Sequence, residues 1–374
     1  MLVLTTGGGG GRASRTTLPS PQAPPPAPGP PAQAPPAGLQ FGANVNLLLE
    51  DPEFTAAERD AGLSELRADG ATLARTDALW EATEPSAPVA GRHRYDWTFN
   101  DRIATALATH GLRWLPVIDY SAPWAQSLAG VDHSPPRNVS EYAAYAAAFA
   151  ARYGRGGAFW TTHPAIPPDP VQLIEIWNEP DNSTFWRPAP DPAGYAAMYG
   201  QARAAIAAVA PSVRVLIGGL TSGGARGFLG SLLSADPGLA QHIDGVSIHP
   251  YGHTPSLVID RIRSIRAAMV ALGLGEVPLY VTEIGWTTRP RGWLDYLPAA
   301  LRPGYLATTL SDLGHLDCGV AAVAAYTWVS QESDPSNGEQ WYGIAPPAGG
   351  QSADSQAFAF GVRAAESPGP RLPC

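Results

Sequence analysis

Two glutamates stand at the ends of short, β-branched and apolar runs. The first run is Leu173-Ile174-Glu175-Ile176-Trp177-Asn178-Glu179, followed by Pro180, and the second is Tyr280-Val281-Thr282-Glu283, which leads into Ile284-Gly285-Trp286. A strand that closes on a carboxylate presents that acid at the rim of its sheet. Two such strands in one barrel bring two acids to the same end. Hydrolysis of a glycosidic bond uses such a pair, one acid to donate a proton and one to attack or to activate water.

The elements that would carry the pair repeat along the chain. From residue 39 onward, short apolar runs alternate with longer Ala-rich amphipathic stretches, the pattern of βα units. Strands are expected near 41–46, 71–76, 113–119, 171–179, 213–219, 243–251, 278–284 and 320–329. Helices are expected near 55–69, 97–110, 139–153, 191–210, 225–235, 256–272, 302–315 and 353–364. Thr55 and Glu58 have capping-box spacing, Asn138 or Ser140 opens the next Ala-rich run, and Pro211 and Gly273 close two helices. Eight strands each followed by a helix predict an α/β fold, a (β/α)8 TIM barrel in one catalytic domain over 39–374.

Strand parity predicts which side chains face inward. Counting back from each glutamate puts Glu175 and Trp177 with Glu179, and Leu279 and Val281 with Glu283. Leu73, Arg75 and Asp77 share a side in the second strand, Ser247, His249 and Tyr251 in the sixth, and Tyr326 and Trp328 in the eighth. Polar and aromatic groups therefore gather at late strand positions.

Composition narrows the rest. The chain has 374 residues and a net charge of −9, and all 24 basic residues are Arg. That balance gives no basic stripe for nucleic acid and mildly disfavours a polyanionic substrate. No apolar run is long enough to span a membrane. Residues 1–38 are Gly- and Pro-rich, which predicts an extended tether. No secretory signal is visible at Met1, yet a Pro-rich stalk favours an extracellular or surface-tethered enzyme. Cys318 and Cys374 can be a disulfide pinning the tail or two free thiols. They make no metal site, and the eight His show no paired ligand spacing. No cofactor is expected, and a monomer is favoured.

Trp177-Asn178-Glu179-Pro180 together with Thr282-Glu283 resembles clan A of the retaining glycoside hydrolases. Further matches are most similar to family 39 and its secreted bacterial endoglycosidase relatives. These are Arg75, Glu84-Pro85, Tyr95-Asp96-Trp97, Pro123-Trp124, Phe185-Trp186 and Ser247-Ile248-His249-Pro250-Tyr251. The resemblance covers roughly residues 40–330. It implies Glu179 as the acid/base, with a pKa raised by burial and by the neighbouring carboxylate, and Glu283 as an ionised nucleophile. It implies Asn178 on the sugar 2-hydroxyl, Tyr251 and Arg75 on Glu283, and His249 in the same wall. Trp328 would floor the site, with a cis peptide after it.

Trp80, Trp124, Trp186 and Trp286 follow strands, where indoles can stack on sugar faces. Glu50, Asp77, Asp119 and Glu332 are further candidate hydroxyl ligands. Family 39 xylosidases carry additional β-sandwich segments, and this chain ends soon after the eighth unit. An open cleft and internal cleavage of a β-linked polysaccharide are therefore expected. The alternatives are an exo-acting β-glycosidase such as a β-xylosidase, and a non-catalytic carbohydrate-binding barrel.

Overall fold

The computed structural model describes residues 38–293 and 295–374. The tether expected over 1–38 lies, but for Gly38, outside the described residues. Eight parallel strands form a closed barrel in sequence order. They are β1 (Gln40–Asn44), β2 (Leu73–Leu79), β3 (Arg113–Asp119), β4 (Leu173–Asn178), β5 (Arg214–Thr221), β6 (Gly245–His249), β7 (Leu279–Val281) and β8 (Val320–Ala325). β1 closes on β8 through Gln40↔Ala322 to Ala43↔Ala325. A helix follows every strand, each within two residues of its expected bounds. Thr55 makes the full capping box with Glu58, and Asn138 caps the helix Val139–Tyr153. Asp191 and Thr254 cap helices whose first residues are Pro192 and Pro255, where the missing N–H of proline costs nothing.

The interior is layered. Leu73, Leu115, Leu216, Tyr280, Ala322 and Ala324 fill the lower barrel as a small apolar plug of their own. One inward step up β2 and β4, the plug gives way to Arg75 and Glu175, both buried. A much larger apolar layer lies between strands and helices, where Ile174, Ile176, Leu279 and Val281 pack. Tail and barrel are joined by a Cys318–Cys374 disulfide, beside a parallel bridge between Leu316 and Leu372.

Simple alternation fails at three places. Trp177 takes a φ of +65° and Glu179 one of +42°. Trp177 therefore turns outward, against Tyr142 and Trp186, while Asn178 turns in. In β7 it is Tyr280 that joins the inner plug, whereas Leu279 and Val281 join the outer layer. The strand ends at Val281, and Glu283 reaches the interior from beyond the alternating stretch. In the eighth unit the cis peptide is Tyr326–Thr327, not the bond after Trp328. Trp328 faces outward onto Phe358 and donates its indole N–H to the Gly62 carbonyl.

Candidate active site

Arg75 is the centre of the rim. Its Nη1 donates to Asn44 Oδ1 at 2.7 Å and to Glu283 Oε1 at 2.8 Å. Its Nη2 donates to Glu175 Oε1 at 2.8 Å and to Asn178 Oδ1 at 2.9 Å. Four side chains from three different segments of the barrel are thereby fixed to one planar cation, the geometry for which a guanidinium is suited. Burial works against the charge on Arg75, but Glu175 and Glu283 outweigh it and push its pKa up. Asn44 extends the tie by donating Nδ2 to the carbonyls of Thr282 and Ala325. Arg75 thus forms the inner salt bridge to Glu175 and holds Glu283 at the same time.

Glu283 has a second donor in the hydroxyl of Tyr251, 2.8 Å from Oε2. Glu179 is held differently. Its Oε1 lies 2.8 Å from Nδ1 of His249, and its Oε2 accepts from Asn182 Nδ2 at 2.7 Å. The Asn182 amide cannot face the other way, because its Oδ1 already accepts from the Thr184 N–H. His249 sits closer to Glu179 than to Glu283, whose Oε2 is 3.6 Å from Nδ1. It bonds Glu179 and also stands in the Glu283 wall, with its Nε2 3.2 Å from the Thr282 hydroxyl. Gly219 makes room for the imidazole, since a Cβ there would fall 2.0 Å from Nε2.

The electrostatics correct one expectation. Burial pushes the Glu179 carboxyl up, as anticipated. However, the hydrogen bond and charge of His249, with Asn182 behind them, outweigh burial and hold it below the usual carboxylate value. His249 moves the other way: burial pulls it down, but Glu283 and Glu179 raise it above an ordinary imidazole. The opposite directions of the two shifts favour a charged imidazole beside an ionised Glu179.

Glu179, His249 and Glu283 each present a donor atom within 4.8 Å of the others. Three strands bring together a set that sequence spacing could not reveal. Such a set admits a cation, but the Arg75 guanidinium at 2.8 Å already supplies positive charge to it.

Above these groups opens a cavity of about 470 Å³, within the usual range for small-molecule sites. Arg75, Asn178, Glu179, Tyr251 and Glu283 line it, as do Asn46, Asp77, Tyr120, Asn182, Trp293, Asp295, Tyr326, Glu339 and Tyr342. Asp77 is pushed up to about 6, chiefly by burial and by Glu283 and Glu175, with Arg75 opposing.

Of the five tryptophans expected at the sugar, none lines the cavity. Trp80 is buried, stacked on Tyr145 and bonded to Glu84. Trp124 packs edge-on to Trp80 and donates to the Glu84 carbonyl. Trp186 is buried against Trp177 and Tyr195, and Trp286 donates to the Gly252 carbonyl and packs on Tyr305. Trp328 belongs to the outer layer, as described above. An indole after a strand found an apolar neighbour before it found solvent. The cavity's own tryptophan is Trp293, which is 37% exposed.

Sequence reasoning missed Asn44, Asn182, Trp293, Asp295, Glu339 and Tyr342. Asn182 stood three residues after Glu179 and was within reach. The last four sit on loops after β7 and β8, where no periodicity marks them.

No family model and no curated protein matches the sequence. Solved structures do match in fold. A family 39 glycoside hydrolase from the gut symbiont Bacteroides cellulosilyticus WH2 superposes with a TM-score of 0.67 at 21% identity, over 87% of this chain and 63% of that one. A family 39 β-xylosidase from Caulobacter crescentus gives 0.66 at 19%, over 88% and 72%. A fungal β-1,4-galactanase gives 0.59 at 14%, over 86% and 98%. At these identities the likeness establishes the barrel. The chain spans just under two thirds of the Bacteroides protein.

Proposed function

We propose that this protein is a retaining glycoside hydrolase acting on β-glycosidic bonds, with Glu179 as acid/base and Glu283 as nucleophile. The carrying observation is the pairing itself: a Glu179 donor atom and a Glu283 donor atom lie within 4.8 Å of each other at the floor of one cavity. Retaining pairs stand about 5–5.5 Å apart, and inverting pairs about 6.5–9.5 Å, leaving room for a water between. The short separation favours direct attack.

In the first step a Glu283 oxygen bonds to the anomeric carbon while the bond to the leaving oxygen breaks. A proton held by the Glu179 and His249 pair moves onto that oxygen. In the second step Glu179 takes a proton from water, whose oxygen displaces Glu283 and releases the sugar with its configuration kept. Arg75 and Tyr251 orient both Glu283 oxygens throughout. Because Arg75 occupies Asn178 Oδ1, the Asn178 amide is turned outward, where one hydrogen meets Tyr120 and the other can meet a hydroxyl beside the anomeric carbon. That contact gains strength as charge develops there. The names of the structural neighbours, a β-xylosidase and a β-1,4-galactanase, agree with a β-linked substrate.

We read the substrate as an extracellular polysaccharide cut internally, and the enzyme as exported. The Cys318–Cys374 disulfide supports an oxidising compartment. A 2-deoxy-2-fluoro glycoside with a good leaving group tests the mechanism. A stable covalent adduct on Glu283 and products of retained configuration are expected, and an inverted product would refute it. Products of mixed length from a polymer accompany internal cleavage, whereas monosaccharide alone means terminal cleavage. A Glu283→Ala variant with unchanged turnover would overturn the assignment of Glu283, and a wild type that binds saccharides without any turnover would leave the binding-barrel reading.

A further inference from the structure

Three cavity carboxylates have no part in the chemistry of Glu179 and Glu283: Asp77, Asp295 and Glu339. Asp295 is the most unusual of them. It is only 6% exposed, it lines the cavity, and its carboxylate has no hydrogen bond or ion pair among the described residues. Glu339 accepts one hydrogen bond, from the Tyr326 hydroxyl at 2.9 Å. Burial raises both acids. The charges of Glu283, Glu179 and Asp295 raise Glu339 further, and Glu179 adds to Asp295, with His253 and Arg261 pulling Asp295 the other way.

The two acids are placed by a braced structure. Thr287 ties the loop after β7 to the loop after β8 by donating Oγ1 to the Gly338 carbonyl at 2.8 Å. The Thr288 N–H donates to the Trp341 carbonyl. Arg302 reaches the carbonyls of Trp341 and Gly343 and is itself held by Asp354. Gly338 lies so close to Trp293 that a Cβ would fall 2.4 Å from its ring. Trp293, Tyr326 and Tyr342 therefore stand around the acids as an aromatic wall.

A buried carboxylate without a bonded counter-charge is costly: His253 and Arg261 act on Asp295 but form no ion pair with it among the described residues, and the exposed Glu339 is repelled by Glu283, Glu179 and Asp295. Arg75, the arginine that lines the cavity, is already engaged by Glu175 and Glu283. We propose that the sugar bound beside the catalytic pair carries a free amino group, an ammonium seated against Asp295 and Glu339, so that the substrate is a glycan containing de-N-acetylated amino sugars. This rests on the glycosidase reading and narrows its substrate class. An ammonium supplies three donors and the missing charge in one group. Hydroxyls would satisfy the lone pairs but leave the repulsion, an acetamide would remove the charge, and a uronate would add to it.

The test is calorimetric titration of the full-length Glu283→Gln protein with tetrasaccharides of β-1,4-linked glucosamine, N-acetylglucosamine and glucose, and with their galacto-configured counterparts. In at least one configuration, binding of the amino form should be about tenfold or more tighter than of the other two, as expected for a charge-assisted contact, and should weaken with salt. Asp295→Asn and Glu339→Gln should each remove most of that preference while changing neutral-sugar affinity less than about threefold. Equal or tighter binding of the neutral or N-acetylated forms, or no binding of any amino form, overturns the proposal even if a variant fails to fold. Binding here needs no turnover. Absence of a Glu283 adduct in the wild type would therefore count against the glycosidase reading, and absence of an amino preference against this one alone.

Discussion

Nδ1 of His249 lies 2.8 Å from Oε1 of Glu179, and Nε2 of the same ring lies 3.2 Å from the Thr282 hydroxyl. The acid that follows β4 is thereby connected through one buried imidazole to the segment after β7 that carries Glu283. Glu179 is held below its ordinary value of 4.5 and His249 above its ordinary 6.5. A proton for leaving-group departure would then be held on the His249 side to a higher pH than an ordinary imidazole holds it, while Glu179 alone gives its proton up earlier.

A pH dependence follows with a definite sign. The stabilisation from the raised His249 is fully present below 6.5 and lost as pH rises through its folded value. The stabilisation from the lowered Glu179 is fully present above 4.5 and lost as pH falls through its folded value. The thermal midpoints of wild type and His249→Gln should therefore differ most between pH 4.5 and 6.5 and converge on either side. The basic limb of kcat/KM should lie above 6.5 in the wild type and fall in the variant, where Glu179 has to keep the proton without its partner. An unmoved limb would separate His249 from the proton inventory.

Removing Glu179 should separate the two chemical steps. On an unactivated glycoside, Glu179→Ala should lose about 10²–10⁴ in rate, the usual worth of a positioned general acid. On a dinitrophenyl glycoside, whose leaving group needs no proton, the first step should survive as a burst and the second should stall. Azide, which attacks without a general base, should restore turnover and yield the β-glycosyl azide.

Arg75 carries structure as well as chemistry. Glu175 is fully buried and has Arg75 and the Gly219 N–H on one oxygen, with nothing on the other. Arg75→Ala leaves that charge without its counter-ion and should cost about 3–5 kcal/mol, read from denaturant unfolding. Adding Glu175→Gln to it should recover part of the loss in stability but none in activity, because Glu283 still lacks its donor.

These residues also mark what the sequence could reveal. The strands, the helices and the pair Glu179 and Glu283 were legible because hydrophobic period and strand-end carboxylates are local signals. Parity then failed where the backbone left the regular strand. The positive φ at Trp177 and Glu179 exchanged Trp177 for Asn178, and the early end of β7 exchanged Leu279 and Val281 for Tyr280. The tryptophans failed for another reason: an indole is large enough to be claimed by the outer apolar layer, and residue type alone does not say which side claims it. Asp295 and Glu339 come together only through two loops after different strands.

The reassignment of the tryptophans has its own consequence. Trp328 is fully buried and its N–H satisfies the Gly62 carbonyl. Trp328→Phe should lower stability by about 1–3 kcal/mol by orphaning that carbonyl and leave KM unchanged. Trp293→Ala should do the reverse, raising KM with little effect on the unfolding midpoint. Steady-state kinetics and thermal melts of both variants decide the matter, and a raised KM for Trp328→Phe would return that residue to the site.

The tail offers the last separation of fold from function. Cys318 and Cys374 are joined across 56 residues, a span that encloses β8, the loop carrying Glu339 and the final helix. Closing a loop of that length removes unfolded-state entropy worth about 4 kcal/mol. Further contacts hold the same end in place: the Asp317 N–H to the Leu372 carbonyl, the Leu372 N–H to the His315 carbonyl, and Arg263 Nε to the Pro373 carbonyl. The paired Cys318→Ser and Cys374→Ser variant should therefore keep its fold and its kcat at low temperature while unfolding in less denaturant. The tail sits at the start of β8, the end of the barrel opposite the cavity, so the loss should appear in the unfolding midpoint and not in KM. A fall in kcat at temperatures where both proteins are folded would mean that strain at the base of β8 reaches the loop that holds Glu339.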